Sequence, residues 1–238
     1  EGEVRSALED VAFIVIDTPQ ASLTTSLVSA AMDAGIAIVF SDDRHTPCGL
    51  ALLFHRHHRQ GGVARLQIGA KDGLRKRLWQ TIVRAKIVNQ AAALALTGQA
   101  DAPTLKEIAR HAEPGDPDNV EARAARFYWS RLFADFTRED ENDRRNKLLN
   151  YGYAVVRAGV ARALVGAGFI PALGLKHEGA ANAFNLADDL VEPFRPFVDL
   201  LAAKPIAAGD KAGDLTLDDR RAMAGALLRA RWAEERDT

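Results

Sequence analysis

Apolar positions fall into short runs in the first third of the chain and into helical spacing after it. Val11-Ala-Phe-Ile-Val-Ile16 is β-branched and apolar, and Asp17-Thr-Pro19 closes it with a turn. Ser22 to Ala34 carries helical spacing and meets Gly35 as a stop. Ile36 to Phe40 and Gly49 to Phe54 are two more short apolar runs, divided by the turn-rich Ser41 to Pro47. The predicted order is strand, helix, strand, strand.

Beyond Phe54 the period changes. His55 to Gly62 is basic and contains a glycine pair, which reads as a linker. From Arg75 onward nearly everything reads as helix. Leu78, Ile82, Ala85 and Asn89 mark one face of a helix reaching about Thr97. Pro103 to Asp118 reads as a polar connection with a short helical turn. Val120 to Phe136 is a helix with Asp118 as its N-cap, and Lys147 to Val165 is another, ending near Gly166 and Gly168. Asn182 to Leu201 is a third, interrupted by Pro193 and Pro196. Thr216 opens the last one, with Asp219 three residues on as a capping box. No internal repeat is evident. The expected class is α+β, with a small β-rich domain over residues 1–56, a linker over 57–74 and a larger all-α domain over 75–238.

Composition fits a soluble globular protein, with 47% hydrophobic and 26% charged residues in 238. The single cysteine, Cys48, rules out a disulfide within the chain and points to a reducing cytoplasm. The longest apolar stretch, Ala163 to Leu175, is broken by Gly166, Gly168 and Pro171. It falls short of the roughly 20 residues needed to span a bilayer, so no membrane is expected. The net charge of -1 alone argues against nucleic acid, but its distribution argues for it. Arg56, Arg59, Arg65, Lys71, Arg75, Lys76, Arg77, Arg84 and Lys86 face Asp72 alone, so residues 55–86 carry +8. Such a stripe is an electrostatic footprint for a polyanion. A solvated basic helix face would leave the same pattern.

The candidate chemistry lies later in the chain. Asp189 and Glu192, three apart, share a helix face, and acids beside an apolar stripe are costly unless paired or metal-bound. His177 lies twelve residues before Asp189, after a turn containing Gly168, Pro171 and Gly174, from which it can fold back onto the two acids. Mixed nitrogen and oxygen ligands of this kind suit Mg²⁺ or Mn²⁺. Taken singly, His177 reads as a structural histidine, and Asp189 and Glu192 as partners of Arg195. Glu121 stands in the first turn of its helix, where the dipole alone favours an acid.

Read together, these residues resemble a family. The blocks are Glu121-Ala-Arg-Ala-Ala-Arg-Phe-Tyr128, Asn146-Lys-Leu-Leu-Asn-Tyr-Gly-Tyr-Ala154, and His177 followed by Asn182-Ala-Phe-Asn-Leu-Ala-Asp-Asp-Leu-Val-Glu-Pro-Phe-Arg-Pro196. Leu78-Trp-Gln80, Arg84-Ala-Lys-Ile87, Asp43-Arg-His45 and the strand segments extend the likeness to nearly the whole chain. The pattern resembles the CRISPR-associated spacer-acquisition endonuclease/integrase, in its type II branch. Glu178-Gly179 departs from the family, which favours a basic or polar residue after the histidine. Both ends also look short, with the opening β-hairpins absent.

The resemblance implies that Glu121, His177 and Glu192 are the catalytic metal ligands, for Mg²⁺ or Mn²⁺. Asp189 becomes the assisting acid, while Asn146, Tyr128 and Arg195 orient ligands or the DNA strand. Arg56, Arg59, Lys71, Arg75, Lys76, Arg77, Arg84, Lys86 and Arg126 become the DNA-gripping set. It implies a prokaryotic cytoplasmic enzyme that dimerises through its N-terminal sheet and joins a small partner adaptation protein. That enzyme inserts double-stranded DNA fragments at a CRISPR repeat by transesterification. A plain metal-dependent nuclease or junction resolvase would cut without joining. A non-catalytic DNA-binding scaffold would be indifferent to Glu192→Ala. Shared ligation of one ion requires the heads of Glu121, His177 and Glu192 to converge within about 5 Å.

Overall fold

A long helix at the centre of the molecule sets the positions of the other elements. The computed structural model describes residues 5–43, 45, 47–53, 57–203 and 213–229. Three strands, β1 (Phe13–Ile16), β2 (Ala37–Ser41) and β3 (Pro47–Ala51), form one sheet in the order β1-β2-β3. Helix α1 (Thr25–Asp33) returns β1 to a parallel β2, with Phe13 opposite Ala37. β3 runs antiparallel to β2, with Val39 opposite Leu50. Ala31, Ile36 and Ile38 are the buried centre of this small layer. Strand, helix, strand, strand is therefore the observed order, and the fold is α+β with helices dominating after the sheet.

The expected linker is structured. Helix α2 (Gln60–Ile68) and the start of α3 (Asp72–Leu96) occupy it. The Arg59 carbonyl accepts from the N–H groups of Gly62 and Val63, so the glycine pair is absorbed into a helical turn. Gln67 then pins α2 to the later chain. Its amide nitrogen donates to the carbonyls of Ile170 and Leu173, both at 2.9 Å, and its amide oxygen accepts from Ile170 N at 3.0 Å.

On α3 the buried face is not the expected one. Trp79, Ile82, Val83, Ile87 and Gln90 are buried, while Leu78 is 42% exposed. Trp79 removes more apolar area from water than Leu78 does, and it turns the helix accordingly. That rotation carries Lys86 inward.

Helix α4 (Ala102–Arg110) is longer than the expected single turn and buries Ala102, Leu105 and Ala109. Helix α5 (Val120–Leu132) stops four residues before the expected Phe136, at an extended Phe133. Its cap is Asp116, not Asp118. Asp116 accepts from Val120 N at 2.8 Å and from Glu121 N at 3.1 Å, after left-handed backbone at Asp116 and Asn119 folds the chain back. Helix α6 (Arg144–Gly166) packs on the sheet and on the helices that follow it. The expected Asn182–Leu201 helix is three pieces: α7 (Asn185–Val191), a 3-10 turn (Glu192–Phe194) and α8 (Arg195–Ala203). Pro193 lacks an N–H and cannot continue an α-helical ladder, which accounts for the tighter turn there.

In α9 (Leu217–Arg229) the expected capping box is present. Asp219 N donates to Thr216 Oγ1 at 3.1 Å, and Thr216 N donates to Asp219 Oδ2 at 2.8 Å. Arg220 of α9 reaches Asp17, just after β1, with Nε 2.6 Å from Oδ2, while His45 Nδ1 lies 3.1 Å from Oδ1 of the same carboxylate. Among the described residues no helix is long and apolar enough to cross a membrane.

Candidate active site

Two carboxylates from distant parts of the chain meet around one largely enclosed cation. Lys86 Nζ lies 2.6 Å from Glu121 Oε1 and 2.5 Å from Glu192 Oε2. Each member is placed by a local device. The rotated face of α3 brings in Lys86, and the Asp116 cap fixes the first turn of α5 that carries Glu121. The proline turn directs Glu192 inward, and Asn89 Nδ2 donates to Pro193 O at 2.8 Å to hold that turn against α3. Arg195 Nε donates to Glu192 Oε1 at 2.8 Å, and its guanidinium stacks over the Tyr153 ring. Glu192 is 5% exposed, so both of its oxygens need these donors.

The electrostatics follow from this pairing. Burial disfavours the charge on Glu192, but Lys86 and Arg195 outweigh it and hold the carboxyl below its ordinary range. Burial likewise opposes the charge on Lys86, yet Glu192 and Glu121 raise its pKa above the usual lysine value. Beside this cluster lies a cavity of about 140 Å³ lined by Lys86, Gln90, Glu192, Arg195, Tyr153 and Asp199. Asp199 is fully buried and accepts a short hydrogen bond from the Tyr153 hydroxyl. Burial pushes its pKa up to about 7, against hydrogen bonding and the nearby Arg195 and Lys86 charges.

His177 is held by a separate device. Asp189 is wholly buried and accepts from the backbone N–H groups of Leu175 (2.5 Å), Lys176 (3.2 Å) and His177 (3.1 Å). Its Oδ1 also lies 2.7 Å from His177 Nδ1. In a neutral imidazole this assigns the proton to Nδ1 and leaves the Nε2 lone pair to act. The ring meets Trp79 edge-on, with centroids 6.1 Å apart. Gly174 makes the tight loop possible, because a Cβ there would lie 2.3 Å from the His177 carbonyl oxygen. Arg75 braces the loop by donating to Gly174 O at 2.7 Å and to Glu178 at 3.2 Å, so the departure at Glu178 has a partner.

The structure brings Glu121 and Glu192 together and does not gather His177 with them. Among the described residues no three His, Cys, Asp or Glu side chains are grouped to hold a metal. Asp189 touches His177 and offers it orientation. Tyr128 is fully buried and faces Asp199 without a well-aligned hydrogen bond, so it has no exposed surface with which to orient a DNA strand. Asn146 is 1% exposed and donates to the carbonyls of Thr137 and Asp140, both at 2.8 Å, so it braces a loop.

Of the basic set, Arg59, Lys71, Lys76, Arg77, Arg84 and Arg126 are exposed. Arg75 is committed to the His177 loop, and Arg56 lies outside the described residues. Lys86 departs from the expectation most. Its side chain, 12% exposed, lies between the two carboxylates and is committed to them. The missed signal was a lysine on the same helix face as Trp79, Val83 and Gln90, a position that demands buried carboxylate partners.

The two carboxylates are the part of the expected donor set that the structure brings together, and oxygen ligands of this kind suit a hard divalent cation. The imidazole aimed by Asp189 stands in a separate loop, outside that group.

Residues 1–220 match the family described as CRISPR associated protein Cas1. Over 211 residues the chain is 43% identical to the CRISPR-associated endonuclease Cas1 of Neisseria meningitidis serogroup C (strain 8013), covering 88% of this chain and 69% of that protein. Among solved structures, a casposase bound to integration product matches with a TM-score of 0.73 at 19% identity, over 91% of this chain and 69% of the other. A chain of a Cas6-RT-Cas1--Cas2 complex matches with a TM-score of 0.70 at 20% identity, over 95% of this chain and 29% of the other. At such identities the structural likeness speaks for the fold.

Proposed function

Because this chain belongs to the Cas1 family of CRISPR-associated proteins, we propose that Glu121, Glu192 and His177 form the divalent-metal site of its DNA endonuclease and integrase activity. The observation that carries this reading is the meeting of Glu121 and Glu192 on the one Lys86 ammonium; Asp189 separately selects the free nitrogen of His177, which closes on the pair when the ion binds. The reaction is transesterification at phosphorus. A DNA 3′-hydroxyl from an incoming fragment forms a new P–O bond at the edge of a repeat, and the displaced 3′-oxygen leaves with a proton. When bound, Mg²⁺ or Mn²⁺ supplies positive charge against the phosphate oxygens and acidifies the attacking hydroxyl.

The chain's own residues do the rest. Glu192 stays ionised at neutral pH under the influence of Lys86 and Arg195. Asp189 retains the Nδ1 proton of His177, so that Nε2 presents a lone pair. The exposed Arg59, Lys71, Lys76, Arg77 and Arg84 on and beside α2 and α3 attract duplex phosphate. No base-reading motif accompanies them, so site choice comes from DNA shape or from partners. The active assembly is a cytoplasmic homodimer with the small partner adaptation protein; the partner alone has support among the structural matches, in a complex that contains Cas2.

The test combines a labelled fragment, a repeat-bearing plasmid, Mn²⁺ and the partner protein. Joined product is expected from the wild type and loss of joining from Glu192→Ala. Cutting without joining would make the protein a plain nuclease, and joining that survives Glu192→Ala would sink the site.

A further inference from the structure

We propose that Lys86 is a displaceable internal cation, which holds Glu121 and Glu192 together in the metal-free protein and must swing into the adjoining cavity, toward Gln90 and Asp199, for a divalent ion to bind. This rests on the reading of Glu121 and Glu192 as metal ligands. Lys86 Nζ sits within 2.6 Å of both carboxylates. An ion ligated by the same oxygens at roughly 2.0–2.2 Å would claim the same space, and two cations that close repel strongly in a buried site. Charge counting agrees. Lys86 and Arg195 already balance Glu121 and Glu192 one for one, so an added divalent ion leaves two positive charges uncompensated, and the excess falls to one if Lys86 moves away. Arg195 is the less mobile of the two, since its guanidinium is stacked on Tyr153 as well as bonded to Glu192.

A second berth for Lys86 is already built. The 140 Å³ cavity it lines also presents Gln90 and Asp199. Gln90 is 2% exposed, and its side-chain oxygen has no hydrogen-bond partner, an uncommon state for a buried acceptor. Asp199 is a buried carboxylate already within the electrostatic reach of Lys86. A four-carbon stem with three rotatable donors is suited to leaving the two glutamates and turning into the cavity that both groups line. Metal affinity is then set in part by the cost of moving a lysine. Asp199 becomes a positioning residue for the metal site, acting through Lys86.

The experiment is Mn²⁺ binding to the full chain, read as the free-ion EPR signal at fixed pH. Wild type is compared with Glu192→Ala, Lys86→Met, Asp199→Asn and the Lys86→Met/Asp199→Asn pair. Lys86→Met should bind Mn²⁺ at least about tenfold more tightly than wild type. Asp199→Asn should weaken binding severalfold with Lys86 present and leave it unchanged with Met in its place. If Lys86→Met folds only with metal, chelator competition on the Mn²⁺-loaded protein gives the same ratio. An affinity that Lys86→Met does not raise, or an Asp199→Asn penalty independent of Lys86, overturns the proposal while binding still depends on Glu192. If Glu192→Ala binds Mn²⁺ as wild type does, the metal-site reading falls first and this proposal with it.

Discussion

The ring of His177 lies with Nδ1 2.7 Å from Oδ1 of Asp189, and this one contact decides which imidazole nitrogen is left to act. Asp189 is buried and anchors three consecutive backbone N–H groups as well, so orientation of the ring and shape of the loop are one property.

Asp189→Asn keeps the size of the side chain and removes its charge. The amide can donate to Nδ1 and invert the tautomer, which would put the proton on Nε2. Mn²⁺ affinity and joining rate should each fall about 10- to 100-fold, as for other partners of ligating histidines. Parallel binding and joining assays check this, and an unaltered rate would remove Asp189 from the mechanism.

Gly174→Ala tests the loop by sterics alone. Its Cβ would meet the His177 carbonyl at 2.3 Å and Asn185 Cβ at 2.9 Å, so the loop must shift. Overpacking of this kind costs about 1–3 kcal/mol, or roughly 2–12 °C in melting temperature for a chain of this size. Joining should fall by more than about tenfold as the histidine moves, because misplacement by an ångström can cost far more in rate than in stability. Calorimetry and the joining assay on one preparation separate the two effects.

Asp199 gives the protein a pH signature. Its folded-state pKa, about 7, stands above the usual aspartate value of 3.8. Between those values the folded state holds a proton that the unfolded state has released, so stability falls as pH rises from about 4 to about 7. The loss approaches about 4 kcal/mol once the group is ionised in both states. Glu192 works in the opposite sense. With its folded pKa lowered, it contributes stability above the unfolded value that is lost as pH falls through the folded one. Asp199→Asn should flatten the decline between pH 4 and 7 and leave the acid limb. Urea unfolding at a series of pH values reads both limbs, and an unchanged decline in Asp199→Asn would exclude Asp199 as its source.

DNA affinity should depend steeply on salt. With about six phosphate contacts, log K should fall against log salt with a slope near -5. Replacing exposed Lys71, Lys76 and Arg77 by Gln should make that slope shallower by about 2 to 3, with little change in sequence preference. Fluorescence anisotropy across a salt series measures it, and an unmoved slope would place the DNA on another face.

The strand run 13–16, the return through α1 and the long helices were legible because their periodicities are set by which side faces a core. The Thr216 and Asp219 box was legible because capping is local. The cap of α5 was not, since it depends on left-handed backbone at Asp116 and Asn119 that brings Asp116 past the nearer Asp118. Glu192 was singled out by its spacing from Asp189 and Glu121 only by the family pattern, and neither signal foretold that Lys86 would join them. Lys86 was misread for a physical reason. A cation within a run of cations looks solvated, and only the face chosen by Trp79 reveals that this one turns inward. The arrangement of Asp189, with three backbone donors and one ring, rests on loop geometry that spacing does not encode.

The link between Asp17 and Arg220 has a consequence in time. Asp17 follows β1, the first strand of the described residues, and Arg220 belongs to the last described helix. The contact joins residues 17 and 220, so it carries a large loop-closure entropy and forms after the local contacts have formed. Until it closes, His45 offers the same carboxylate a partner much nearer in sequence. The end of β1 is therefore anchored from a distant helix, which ties the final settling of the sheet to the docking of α9.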